Sequence, residues 1–137
     1  MEQEFPVPDF PKYTVTADGK VYSYHGKGGS RRELRRHFVK KRHSNTRICC
    51  YMALQIPGED KKKHVSLPRL MLAAKMGRWL EPWEHARHLD GNANNHHMDN
   101  LAPGCVILNM LDDIENGTRQ TSPEYIRQAI QRLEGLL

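Results

Sequence analysis

The chain has 137 residues, 38% of them hydrophobic, which fits one domain with one modest core. Its formal net charge of +5 favours a polyanionic partner, with nucleic acid as the first candidate. No stretch approaches the roughly 18 apolar residues of a membrane-spanning helix, and the acidic start lacks the features of a secretory signal, so we expect neither a membrane partner nor secretion.

Cysteine usage indicates a reducing compartment. The three cysteines are Cys49, Cys50 and Cys105, so the count is odd and two of them are adjacent. Such an arrangement argues against a disulfide framework, and we therefore expect the cytoplasm. The sequence has no Cys-x-x-Cys pair, which disfavours a cysteine-rich structural zinc site.

The first half of the chain predicts two β-hairpins separated by a basic segment. Residues 13–16 and 21–24 flank an Asp18-Gly19 turn, and residues 48–56 and 61–67 flank a turn at 57–60. The block between the hairpins predicts a mobile segment that meets a polyanion, because Glu33 alone opposes its cations. These cations are Lys27, Arg31, Arg32, Arg35, Arg36, Lys40, Lys41, Arg42 and Arg47.

The second half predicts helices around a polar loop. Pro68 is expected to start a helix that runs to about Met76, with Gly77 as its stop. Residues 85–113 indicate a strand, a loop, a second strand and a helix, and the loop is rich in His, Asn and Asp. A polar loop that buries so little is typical of a binding or catalytic site.

A C-terminal helix is predicted after the capping-box pattern at residues 121–124. Its apolar positions form one stripe, which indicates that one face of the helix is covered. This helix either closes the core or forms a dimer contact, and the sequence does not choose between them. The stripe comprises Ile126, Ala129, Ile130, Leu133 and Leu137.

The polar loop resembles a known family. His88-Leu89-Asp90-Gly91-Asn92, followed by Asn94-Asn95, Asp99-Asn100-Leu101 and Asn109, is similar to the H-x-D-G-N-x-x-N-N…N-L…N pattern of HNH endonucleases, especially phage-encoded types related to homing endonucleases. Residues 65–74 and 13–23 also resemble segments of that group. The resemblance covers roughly residues 10 to 115 and implies a ββα-metal module. With the predicted small hairpins and C-terminal helix, the expected fold class is α+β.

The resemblance assigns roles to single residues. His88 resembles the general base that takes a proton from the attacking water. Asn100 resembles the middle asparagine, which holds the loop and orients the histidine. Asn109 resembles a metal ligand on the helix, and the metal would be Mg²⁺ or Mn²⁺.

Arg87 departs from the family pattern. The residue before the catalytic histidine is commonly a metal ligand there, whereas a guanidinium has no acceptor and cannot ligate. In one explanation Asp113 supplies the missing oxygen, since it is four residues after Asn109 and on the same side of the predicted helix. In another, Asp90 moves toward the metal and supplies it. In the third, the metal site is degraded and the protein binds DNA without cutting it. Arg87 itself is a candidate to clamp a phosphate bidentately.

These observations predict three regions: residues 1–47 as an N-terminal hairpin and basic arm, 48–115 as the HNH module, and 116–137 as a C-terminal amphipathic helix. The predicted activity is metal-dependent DNA cleavage, of one strand or both. The alternatives are a disabled HNH-fold DNA-binding protein and an interaction protein that regulates a host protein. A homodimer or a host partner stays open, and a phage origin would put the protein in the host cytoplasm. The expected DNA contacts are Arg31, Arg32, Arg35, Arg36, Lys40, Lys41, Arg42 and Arg87.

Overall fold

The computed structural model describes residues 2–40, 48–115 and 123–135, and within them the fold is α+β, as predicted. The strands fall into three small antiparallel sheets. The strands are β1 (Glu4–Val7), β2 (Phe10–Thr16), β3 (Val21–Ser23), β4 (Arg32–Glu33), β5 (His37–Lys40), β6 (Ile48–Gln55), β7 (Lys62–Ser66), β8 (His85–His88) and β9 (Leu101–Gly104). The α-helices are α1 (Leu67–Met76), α2 (Val106–Glu115) and α3 (Pro123–Glu134).

The first sheet has the order β1-β2-β3-β4 and contains the predicted N-terminal hairpin, β2 with β3. Gly19 has a φ of 95° in the connecting turn, a conformation that favours glycine. Strand β1 was not predicted from the sequence, because its Pro6 interrupts the strand pattern. Proline is tolerated there because β1 is an edge strand of the sheet.

The second sheet has the order β5-β6-β7, and its β6–β7 pair confirms the second predicted hairpin. Strand β5 pairs with β6 from Lys40↔Ile48 to His37↔Tyr51, so this sheet includes chain on both sides of the boundary expected at residue 47. Residues 32–33 also pair, as β4 with β3. The prediction of a mobile basic segment is therefore wrong at 32–33 and 37–40.

Helix α1 supplies the centre of the core. It begins with Pro68 in its first turn and ends at Gly77, whose backbone N–H donates to the Ala73 carbonyl at 2.9 Å, as the sequence predicted. Leu70 and Met71 are fully buried in one cluster with residues of the first two sheets and of β9. A single hydrophobic core thus joins the N-terminal sheet to the segment that carries the polar loop.

The third sheet pairs β8 with β9 and leads into α2, which confirms the predicted strand, loop, strand and helix. Helix α2 contacts both strands, and α3 contacts α2. Ile126 and Ile130 of α3 are 41% and 49% exposed, so the predicted apolar stripe is not fully covered. The expected caps, Thr121 and Ser122, lie outside the described residues. In the described chain, no helix is both long enough and apolar enough to span a bilayer.

Candidate active site

His88 is the last residue of β8 and stands where the strand enters the polar loop. Its carbonyl accepts a hydrogen bond from the Gly91 backbone at 2.9 Å, and the Leu89 N–H donates to the Asn100 carbonyl at 2.9 Å. The imidazole is half-buried and meets the ring of His96 edge to face, with centroids 5.6 Å apart. His88 is therefore held from its backbone on one side and from its ring on the other.

The loop after His88 is organised around one carboxylate. Asp90 accepts hydrogen bonds from the Asn92 backbone at 2.8 Å, from Asn95 Nδ2 at 2.8 Å and from Asn100 Nδ2 at 2.9 Å. Side-chain hydrogen bonding, that of Asn95 first, holds the pKa of Asp90 below its ordinary value, whereas burial opposes this. Asp90 therefore stays ionised and gathers the loop around it. Both of its oxygens are used within the loop, which differs from the expected swing toward a metal.

Asn100 closes the loop from its far end. Its Oδ1 accepts from the Asp90 N–H at 3.0 Å, and its Nδ2 also donates to the Asn95 carbonyl at 3.0 Å. Together with the backbone bond to Leu89, these contacts join the start of β9 to the end of β8. A side chain that both donates and accepts in this way fixes the loop geometry, because it links the backbones of Asp90 and Asn95 at one point.

Arg87 points away from this loop and reaches α2. Its Nε and Nη2 donate to Asp112 Oδ2 and Oδ1 at 2.6 and 2.8 Å, and the two side chains are only 20% and 10% exposed. The hydrogen bond that Arg87 donates to Asp112 is the main cause of its raised pKa. Arg87 also packs on Gly104, where an added Cβ would lie 2.3 Å from its Cδ. Two donors of the Arg87 guanidinium are thus engaged by Asp112, and the expected role of Arg87 as a bidentate phosphate clamp stays a prediction.

Asp112 was missed by the sequence analysis. It lies next to Asp113 and three residues after Asn109, but its partner is 25 residues away and only the folded chain brings them together. The bidentate pair ties α2 to β8, so the helix that carries Asn109 and Asp113 is fixed beside His88. The side chains of Asn109 and Asp113 lie outside the described residues.

The candidate site residues differ in whether their side chains could ligate the expected divalent metal ion. Asn109 and Asp113 offer amide and carboxylate oxygens, which suit a hard divalent ion, whereas Arg87 offers none. Among the side chains that the structure describes, no group of three or more His, Cys, Asp or Glu is arranged to hold a metal ion.

A histidine in a polar loop is expected to face solvent, but His96 does not. Its side chain is only 8% exposed, and burial, together with the nearby His88 and Arg36, lowers its pKa to about 4. Its Nδ1 is buried and has no hydrogen-bond partner within the described chain. His96 is therefore a neutral imidazole near neutral pH, in contact with the candidate base.

The basic residues divide into three groups. Arg31 lies 3.4 Å from a Glu4 oxygen and over the Tyr22 ring, whereas Arg36 is half-buried and donates to the Gly19 carbonyl at 2.8 Å. Arg32 and Arg35 are exposed and, with Lys62 and others, line a surface cavity of about 420 Å³. The side chain of Lys40, and Lys41 and Arg42 entirely, lie outside the described residues.

No protein-family profile matches the chain, but a curated protein and a solved structure are similar to it. An uncharacterized HNH endonuclease of Acanthamoeba polyphaga mimivirus is 28% identical over 93 residues, which cover 68% of this chain. The matched segment is only 20% of the viral protein, so this chain corresponds to a small part of it.

The structural match covers nearly the whole chain and defines the fold. The HNH homing endonuclease I-HmuI, solved in a study of its DNA binding and cleavage, matches with a TM-score of 0.63 at 21% identity. The match covers 97% of this chain and 68% of that one. The fold is therefore of the HNH type, as the loop pattern implied.

Proposed function

We propose that this chain is a DNA endonuclease of the HNH type, with His88 as its general base. The observation that carries the proposal is the double restraint on His88. A loop closed by Asp90 and Asn100 holds its backbone, while the Arg87–Asp112 pair anchors the same strand to α2. A reaction that needs one well-aimed imidazole benefits from such restraint, because small displacements of a catalytic group lower rates severely.

The proposed reaction is hydrolysis of a phosphodiester. The neutral His88 imidazole takes a proton from water as the water oxygen bonds to phosphorus. The bond from phosphorus to the leaving 3′ oxygen breaks, and that oxygen takes up a proton from solvent. Asn100 and Asp90 act indirectly, because their hydrogen bonds keep the loop next to His88 closed.

We propose that Asn109 and Asp113 hold a hard divalent ion, Mg²⁺ or Mn²⁺. When bound, the ion supplies positive charge that stabilises the phosphate oxygens and the leaving group. Arg87 contributes to this arrangement through Asp112, since the pair holds the helix that carries both candidate ligands.

DNA is the proposed substrate because exposed cations line one surface cavity. Arg32 and Arg35 are exposed, and Lys62 shares their surface cavity. We propose this cavity, together with Lys40, Lys41 and Arg42, as a track for the phosphate backbone. Each phosphate that these cations neutralise should add roughly 0.9 to the salt slope of binding to duplex DNA.

The Arg87–Asp112 pair also favours one alternative. A guanidinium stands where the related enzymes are expected to have a metal ligand, and it is already ion-paired. A chain with the same loop and the same basic surface, but with no working metal site, would bind DNA without cutting it.

A cleavage assay on supercoiled plasmid separates the two functions. Wild type, His88→Ala and His85→Ala are compared in Mg²⁺, Mn²⁺ and EDTA; His85 is an exposed residue of the same strand and serves as the control. We expect wild type and His85→Ala to cut with metal but not with EDTA, and His88→Ala to be slower by about 100-fold or more. Plasmid that stays intact in both metals, yet shifts on a gel, would establish the binding function instead.

A further inference from the structure

We propose that His96 is a positioning residue for His88, and that it makes the N-terminal hairpin part of the active site. This inference rests on the proposed function, since it assigns a role relative to the candidate base. The first observation is the ring contact, with centroids 5.6 Å apart and planes inclined at 62°. Edge-to-face packing of this kind restricts the plane of a ring that side-chain torsions would otherwise leave adjustable.

The second observation is that the turn between β2 and β3 packs against His96. A Cβ added to Gly19 would lie 3.7 Å from the His96 Cβ and 3.8 Å from its carbonyl oxygen. Two residues later, the Met98 N–H donates to the Ala17 carbonyl at 2.7 Å. The turn between β2 and β3 thus supports His96 from behind while its ring faces His88.

Arg36 holds that turn in place. Its Nη2 donates to the Gly19 carbonyl at 2.8 Å and would lie 2.9 Å from a Cβ at Gly19. A side chain at this position would therefore displace either Arg36 or the turn. The contacts run from Arg36 through Gly19 to His96 and then to His88, so residues of the predicted basic arm reach the site from inside the fold.

The third observation is that His96 contributes a ring and not a hydrogen bond through Nδ1. This atom is buried and lacks a partner in the described part of the chain, which is costly for a polar group. The contact with His88 that the structure describes is the packing of the two rings. Phenylalanine keeps an aromatic ring without the buried nitrogen, whereas alanine removes the contact.

The test compares His96→Phe and His96→Ala with wild type, and His85→Ala is the control for a histidine that does not face the site. We expect His96→Ala to lower kcat by about 10- to 100-fold with KM nearly unchanged, and His96→Phe to stay within about threefold of wild type. Circular dichroism shows which variants are folded, and the phenylalanine variant, which retains an aromatic ring, keeps the test valid if alanine prevents folding.

A second readout does not depend on cleavage. Long-range ¹H–¹⁵N NMR of the His88 ring should show shifted or broadened signals in His96→Ala and wild-type-like signals in His96→Phe. Unchanged His88 signals in folded His96→Ala would overturn the proposal, as would a phenylalanine variant as slow as the alanine one. If no variant cleaves DNA but the signals change as expected, the proposed nuclease function fails while the positioning role stands.

Discussion

Arg87 and His88 are neighbours on β8, yet the regions they face are held together in different ways. On the His88 side, the loop is largely exposed and is closed by hydrogen bonds around Asp90 and Asn100. In these bonds the Asp90 carboxylate is the only charged partner. On the Arg87 side, a mostly buried bidentate ion pair joins the strand to α2. Substitutions on the loop side should therefore change the reaction rate with little change in stability. Substitutions on the helix side should mainly lower stability.

The helix side is broken most directly by Asp112→Ala. Removal of one partner leaves the Arg87 guanidinium charged and largely buried, so we expect the free energy of unfolding to fall by about 3 kcal/mol. Urea denaturation followed by circular dichroism measures this. The double variant Arg87→Met with Asp112→Leu is the matched control, since it replaces both charges by apolar groups. A similar loss in both variants would show that packing, not the unpaired charge, determines the effect.

His96 lies at the back of the loop, where its low pKa links stability to pH. The unfolded chain takes up a proton near the ordinary histidine pKa of about 6.5, whereas folded His96 does so only near pH 4. Stability that is present above about pH 6.5 is therefore lost as the pH falls toward 4. Between pH 7.5 and 4.5 we expect this residue alone to account for about 2.5 kcal/mol.

Urea denaturation at several pH values checks this expectation, with His96→Phe as the comparison because it removes the titrating group and keeps the ring. The difference between the two proteins should grow steadily below pH 6.5. Parallel stability curves across this range would mean that folded His96 takes up its proton as readily as the unfolded chain does.

The loop side is probed by Asn100→Ala, with the smallest expected effect on stability. The lost hydrogen bonds are at least partly open to water, so we expect the free energy of unfolding to fall by only about 1 kcal/mol. Plasmid cleavage should nevertheless slow by about tenfold or more, because the backbone next to His88 is released. A variant that is strongly destabilised but cleaves normally once folded would reverse the contrast between the two sides of β8.

The sequence predicts most of the scaffold because its signals are local. The hairpin at Asp18-Gly19, helix α1 with its Gly77 cap, and the strand, loop, strand and helix around His88 all follow from turn residues, caps and apolar spacing. Strands β4 and β5 escape this reasoning because they lie within the basic segment, whose charge pattern predicts no strand. They are short, and pairing with β3 and β6 determines their conformation.

The details of the site were less predictable because they depend on contacts between distant residues. His96 and His97 are identical in type and adjacent, and only the path of the loop turns the first inward and leaves the second exposed. Arg87 was correctly recognised as unable to ligate, but its partner on α2 is defined only after β8, β9 and α2 have packed. The loop motif predicts which residues lie close to one another, whereas the fold determines the contacts that each of them makes.

The hydrogen bond from Met98 to Ala17 has a consequence for the order of assembly during synthesis. The N-terminal turn leaves the ribosome long before the loop that it supports has been translated. His88 and its loop therefore cannot reach their final arrangement until residues far apart in the chain have met, which is a slow type of contact to form. A partly synthesised chain would lack one half of this contact, so any activity would begin only once the chain beyond Met98 had emerged.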